Sequence, residues 1–155
     1  MKSIRIISVG KLKKKYWSMA ADHYAASLSR FYRLERTAVK DAPAHVSIEQ
    51  RMQTESDAVR TRLTPQDLTI GLDLEGRTFS STGFSRALSG WIEDPQKIPC
   101  FLVGGAYGFS PQFKSSCDLL FSLGPLTFPH EMAQVVLLEQ LYRAAAILHN
   151  LPYHH

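Results

Sequence analysis

Short apolar runs alternating with longer amphipathic segments are the feature that most narrows what this chain can fold into. IRIISVG (Ile4 to Gly10) is β-branched and ends on glycine, so it reads as a buried strand. In the segment that follows, Tyr16, Ala20, Tyr24, Leu28 and Phe31 recur at helical spacing and predict an amphipathic helix. LERTAVKD is a second strand. SIEQRMQTESDAVRTRL is a helix with Ser47 as N-cap, Gln50 as the partner of a capping box, and an end before Pro65. DLTIGLD is a third strand, and FSSTGFSRALSGWIED a helix weakened by Gly83. IPCFLVGG is apolar throughout, which predicts a strand buried on both faces. SPQFKSSC is a short helix with Pro111 in its first turn, DLLFSLG a fifth strand, and PHEMAQVVLLEQLYRAAAILHN the last and longest helix. Strand and helix in strict alternation predict an α/β fold: a mostly parallel sheet with helices on both faces. No repeat, linker or low-complexity tract interrupts the 155 residues, a length that suits a single domain over 1–155.

Composition removes several classes. A chain that is 45% hydrophobic and 21% charged is globular rather than disordered. No apolar run approaches the roughly 20 residues that span a bilayer, so no membrane role is expected. The start, MKSIRIISVG, is too short and too charged for a signal peptide. Cys100 and Cys117 make no CxxC pair and no disulfide framework, which predicts a reduced, cytoplasmic protein. The net charge of +4 is unevenly spread. Residues 1–62 carry 13 Lys/Arg against 6 Asp/Glu, and residues 63–155 carry 5 against 8. A polyanion would therefore dock on the N-terminal part, if the basic residues are more than a solvated face.

In open parallel sheets the ligand sits beyond the carboxyl ends of the strands. Three such ends stand out: GLDLEG after the third strand, VGGAYG after the fourth, and LGPLTFPH after the fifth. The glycines there allow backbone to approach a ligand closely. The loop after the fourth strand has neither the dinucleotide fingerprint nor the Lys-Ser/Thr of a P-loop, and alone it is no more than a tight turn. HEMAQ (His130 to Gln134) comes within one residue of the zinc motif H-E-x-x-H, but Gln134 stands where the second imidazole is needed. The tail histidines His149, His154 and His155 have nothing to fix them around an ion, so no metal is expected. On the last helix Ala133, Leu137, Leu141, Ala144 and Leu148 form a core face, with Glu139 and Arg143 spaced for an ion pair on another. That pair is either a surface salt bridge or a constrained cation able to clamp a phosphate or a base edge.

Six stretches, VGKLKKKYW, LDLEG, FLVGGAYGFS, LTFPHEM, LLEQLYRA and the closing PYHH, occur in this order over nearly the whole chain. Together they resemble the RlmH (YbeA-type) family of small SPOUT-class, S-adenosyl-L-methionine-dependent RNA methyltransferases. Residues 41–66 add little to the match. The resemblance implies a SPOUT-type fold whose C-terminal segment forms a trefoil knot, a departure from the rule that chains do not thread their own loops. It also implies a homodimer, a cofactor held in the knot, and methylation of N3 of a pseudouridine in 23S ribosomal RNA. The target would be the helix 69 stem-loop of the large subunit, met in the assembled ribosome. A non-catalytic ribosome-binding factor with a vestigial pocket is the alternative.

Carried onto this chain, the resemblance assigns the cofactor to Leu72, Gly104, Gly105 and the stretch Leu123, Gly124, Pro125, Leu126, Thr127 and Phe128. Leu72, Leu123 and Leu126 can pack the faces of an adenine whose edge is read by backbone groups. Lysine or arginine is not expected beside the sulfonium. Lys11, Lys13, Lys14, Lys15, Arg30 and Arg33 are candidate RNA phosphate contacts. Methylating N3 requires loss of an imide proton, helped by a base or by a cation that stabilises the anion. The candidates are His130, Arg143, Tyr153 and His154. In the tail, Pro152 stiffens the chain, Tyr153 can stack on a base, and His154 can take a proton or bind phosphate. Truncation after Leu151 is therefore expected to abolish methylation of ribosomes while leaving the fold intact, as followed by methyl incorporation and thermal melting; full activity would show an idle tail.

Overall fold

Each apolar run becomes a strand and each amphipathic segment a helix in the computed structural model, which describes residues 1–153. In chain order these are β1 (Ser3–Val9), α1 (Lys15–Leu28), β2 (Arg33–Val39), α2 (Ile48–Arg60) and β3 (Asp67–Arg77), then α3 (Ser81–Glu93), β4 (Ile98–Val103), α4 (Pro111–Ser116), β5 (Leu119–Phe121) and α5 (His130–Leu148). The strands form one five-stranded sheet in the order β2-β1-β4-β3-β5, and every pairing is parallel. β4 lies at its centre with five of its six residues buried, as its unbroken apolar run requires.

Alternation along the strands sends successive side chains to opposite faces. Ile4, Ile6, Ile70, Phe101 and Val103 meet α1, α3 and α5 on one face. Ile7, Val9, Val39, Cys100 and Leu102 meet Val59 of α2 and Phe113 of α4 on the other. Serine side chains cap three of the helices at their N-termini: Ser47 accepts from the Gln50 N–H, Ser80 from Gly83 and Ser110 from Phe113. Gly83 thus supplies a capped N–H in the first turn of α3 and does not weaken the helix interior. α1 begins only at Lys15, which leaves 11–14 as a loop, and Tyr16, expected on its core face, is 61% exposed. No helix of the described residues is long and apolar enough to cross a membrane.

The end of β3 holds an unusual crossing. Phe121 pairs with Leu72 and again with Arg77, so residues 73–76 arch away from β5 and come back to it. The Ser122 N–H donates to the Arg77 carbonyl at 2.9 Å, closing the arch. At Gly76 a Cβ would stand 2.6 Å from the Phe121 nitrogen and 2.7 Å from the Leu120 carbonyl carbon. Those are backbone atoms that cannot swing aside, so only glycine fits. Gly90, inside α3, has nothing within 4 Å of the same position. The two glycines therefore predict opposite signs. Gly76→Ala should destabilise by about 1–3 kcal/mol through overpacking, and Gly90→Ala should stabilise by about 0.5–1 kcal/mol through helix propensity, both read from urea unfolding.

Candidate functional site

The three strand ends singled out in the sequence converge on one cavity of about 300 Å³ at the C-terminal edge of the sheet. That volume is at the lower end of the range for small-molecule sites. Leu72, Asp73 and Leu74 enter it from β3, Gly104 to Gly108 from the loop after β4, and Phe121, Leu123, Gly124, Leu126, Thr127 and Phe128 from β5 and its loop. His130 and Ala133 close it from the first turn of α5. Every expected cofactor residue except Pro125 lines this cavity. Its lining contains no lysine or arginine among the described residues, and its one carboxylate, Asp73, pairs with Lys114 at 3.3 Å. Leu126 and Tyr107, 75% and 48% exposed, form an apolar rim.

Helix α2 holds the glycine loop from beneath. Glu55 is 1% exposed, and its Oε2 accepts from the Ala42 N–H at 2.9 Å. A Cβ at Gly105 would lie 2.6 Å from Glu55 Oε1, so the loop passes directly over the carboxylate. The Ser56 hydroxyl accepts from the Ser110 N–H at 3.0 Å, and the Arg51 guanidinium lies 5.1 Å from the centre of the Tyr107 ring. None of these α2 residues was foreseen from the sequence. A carboxylate on the buried side of a helix is the signal that would have found Glu55, because burial demands a partner.

The basic loop meets the cavity at the start of α5. Glu131 accepts hydrogen bonds from the backbone N–H groups of Lys13 and Lys14, and a Cβ at Gly10 would lie 4.0 Å from His130 Nε2. Lys11, Lys13, Lys14 and Lys15 are thereby tied to the cavity mouth. Arg30 is elsewhere, with its guanidinium donating to the Tyr142 hydroxyl at 3.3 Å near the far end of α5. Arg33 is exposed at the opposite, N-terminal edge of the sheet, where its N–H donates to the Lys2 carbonyl.

The catalytic candidates divide in the same way. His130 lines the cavity, whereas Arg143 stands 13 residues further along α5, about 20 Å at 1.5 Å per residue. There Arg143 pairs with Glu139 at 2.5 Å, and the Tyr153 hydroxyl donates to the same carboxylate oxygen at 3.1 Å. The Arg143 guanidinium lies 5.0 Å from the Tyr153 ring centre. Its hydrogen bond to Glu139 holds it above its ordinary range, a permanent cation. Burial, together with the Tyr24 hydroxyl and the Glu139 carboxylate, also pushes the Tyr153 phenol above the usual tyrosine range, so it stays protonated.

The tail reaches this position through a helix-ending turn. Asn150 adopts a left-handed φ of 56°, its N–H donates to the Ile147 carbonyl, and the Leu151 N–H donates to the Ala146 carbonyl at 2.8 Å. This Schellman geometry turns the chain back, so that Tyr153 packs on Tyr142 with ring centres 4.7 Å apart. His154 lies outside the described residues, as does His155.

Comparison with known proteins agrees with this architecture. A family model described as "Predicted SPOUT methyltransferase" matches residues 1–154. "Ribosomal RNA large subunit methyltransferase H" of Oleidesulfovibrio alaskensis is 46% identical over 155 residues, covering 100% of both chains. The protein of that name from Nitratidesulfovibrio vulgaris (strain Miyazaki F) is 43% identical, again over 100% of both. Among solved structures, a probable methyltransferase from Bordetella pertussis superposes with a TM-score of 0.55 at 14% identity, covering 92% of this chain and 94% of its own. A probable methylase family protein from Haemophilus influenzae gives 0.56 at 12% identity, covering 96% and 69%. At such identities the two structures speak for the fold alone.

The support of the glycine loop by α2 can be measured without any ligand. Glu55→Leu should destabilise by about 1–3 kcal/mol, since it strands the buried Ala42 N–H, and should speed amide exchange across 104–108. Glu55→Gln retains an acceptor oxygen and should lose less on both counts.

Proposed function

Because the chain belongs to the SPOUT methyltransferase family and its methyl donor is S-adenosylmethionine, we propose that it methylates N3 of a pseudouridine in large-subunit ribosomal RNA. The target is the helix 69 stem-loop of the assembled ribosome, and the enzyme works as a cytoplasmic homodimer. The full-length relatives named ribosomal RNA large subunit methyltransferases support the RNA substrate. The observation that carries the reading is the cavity shared by the β3, β4 and β5 loops, with the basic 11–14 loop bonded to Glu131 beside its mouth.

The cavity suits the cofactor. Leu72, Leu123 and Leu126 offer apolar faces to an adenine, and the 104–108 and 123–128 backbones offer groups for its edge. The absence of lysine and arginine from the lining, among the described residues, suits a sulfonium. When bound, the cofactor supplies an electrophilic methyl group. The arch at 73–76, whose two feet Leu72 and Arg77 both pair with Phe121 of β5, is consistent with the knot that the family implies.

The protein's share of the chemistry is to orient the base and to manage the imide proton. Arg143, a cation fixed by Glu139, stabilises the N3 anion. Tyr153 remains a phenol at neutral pH, so it stacks or donates and does not act as the base. His130 stands at the cavity itself and is the candidate to receive the proton. His154, outside the described residues, remains a second candidate. Arg143 and the cavity lie at opposite ends of one helix, so a complete site calls for two chains, with the tail of one beside the cavity of the other. The exposed Tyr16 and Met19 on α1 supply apolar surface for such a contact.

The test incubates the protein and labelled S-adenosylmethionine with ribosomes lacking the methyl group. RNA mass mapping is expected to find label at N3 of one pseudouridine, with far less on naked RNA. No transfer with tight ribosome binding would favour a non-catalytic binding factor. Gly105→Val and Arg143→Ala proteins should each be inactive, yet regain roughly a quarter of wild-type activity when mixed, as a two-fold dimer with shared sites requires. Mixtures that stay inactive would place the complete site within one chain.

A further inference from the structure

The first turn of α5 is a partition. His130 and Ala133 face the cofactor cavity, and Gln134 lines a separate groove of about 340 Å³ on the other side. We propose that this groove seats a backbone phosphate of the RNA substrate and that Gln134 is its buried donor. The inference rests on the reading that the substrate is RNA, and it adds where the strand is gripped.

Gln134 is the residue that breaks the zinc motif in HEMAQ. It is 6% exposed, and its amide nitrogen has no hydrogen-bond partner among the described residues. Buried amides are nearly always paired, so an unpaired one at a groove points to an acceptor that arrives with a ligand. The rest of the polar lining selects the kind of acceptor. Ser8 and Thr37 come from β1 and β2, Ser18 from α1, Lys11 from the basic loop and Arg36 from β2. Hydroxyls, an ammonium, a guanidinium and an amide all donate, and no carboxylate is in the lining. Of the nearby acids, Asp22 is exposed and pairs with the groove's own Arg36 at 3.3 Å, so a phosphate would take that guanidinium over from a solvated carboxylate, and Asp41 lies 4.0 Å from the Lys13 ammonium. A site made of donors and two cations takes an anion with several acceptor oxygens, as a phosphate has.

Placement links the groove to the reaction. It opens at the carboxyl ends of β1 and β2, at the same edge of the sheet as the cofactor cavity. Glu131 of the partition turn is bonded to the basic loop, so the groove, the lysines and the cavity mouth are mechanically joined. A strand with one phosphate in the groove presents its adjacent base across His130 to the cavity. The grip on the backbone thereby sets which base can reach the methyl group.

The experiment measures ribosome affinity against salt for the wild type, for Gln134→Leu and for the double variant Asp22→Asn with Arg36→Gln. The double variant removes the cation without changing net charge and alters an exposed edge strand, so it remains informative if Gln134→Leu does not fold. It is expected to bind about tenfold more weakly at low salt, with the slope of log K against log salt reduced by about 0.7–0.9, the loss of one phosphate contact. Gln134→Leu should weaken binding severalfold with the slope unchanged, because its amide is neutral. S-adenosylmethionine affinity should be unaltered in both. Wild-type affinity and slope in the double variant would overturn the proposal. So would calorimetric binding of inorganic phosphate to the groove together with unchanged ribosome binding in both variants, which would make it a small-anion site. Affinity is read without turnover, so a wild type that binds ribosomes but transfers no methyl would sink the proposed activity and leave the groove to be judged on its own.

Discussion

Backbone lies against backbone where β3 leaves the sheet, and the functional site depends on that contact. Gly76 has no side chain, so residues 73–76 can arch away from β5 and meet it again at Phe121. The arch brings Leu72, Asp73 and Leu74 to one side of the cavity while the loop after β5 forms the other. A side chain at Gly76 would push these two walls apart, and the third wall, the glycine loop after β4, would face an open cleft. The loop itself is held from below by the buried Glu55, whose carboxylate also anchors the Ala42 N–H. Two close approaches, one onto backbone and one onto a buried carboxylate, thus define a cavity whose lining is mostly apolar side chains and glycine.

Helix α5 distributes the remaining chemistry. Its first turn separates the cavity from the donor-lined groove and is tied through Glu131 to the lysine loop. Its last turns carry Arg143, Glu139 and the folded-back Tyr153, joined through one carboxylate oxygen. A rigid helix keeps these ends apart, so among the described residues of one chain the Arg143 cation does not reach the cavity. Their separation is the physical reason for the proposal that the site is shared between subunits.

The charge arrangement follows the same division of labour. Cations gather at the rim and in the groove, as the proposed grip on an RNA backbone requires, and are absent from the cavity lining among the described residues, as the proposed seat of a sulfonium requires. Arg143 keeps its charge through Glu139, and the Tyr153 phenol keeps its proton through burial, Tyr24 and Glu139. Both groups therefore hold one ionisation state around neutral pH and can orient and stabilise without exchanging protons themselves.

Much of this was legible in the residues alone. Hydrophobic periodicity determined the order and type of every element, because burial of an apolar face is a local pattern with a fixed period. Parallel pairing followed from alternation, and the glycines of three strand ends marked the loops that meet at the cavity. Matched motifs carried the family and hence the methyl donor. The tertiary structure alone decided the rest. It set Tyr16 on the surface, left Pro125 off the cavity wall, and parted Arg30 from Lys11–Lys15 although all belong to one basic segment. It also brought Glu55 under a loop some 50 residues distant in sequence and left the Gln134 amide unpaired beside a groove. Periodicity reports which face of an element is buried and is silent on what lies across the gap. Contacts between distant segments depend on how whole layers pack, and no local pattern encodes them.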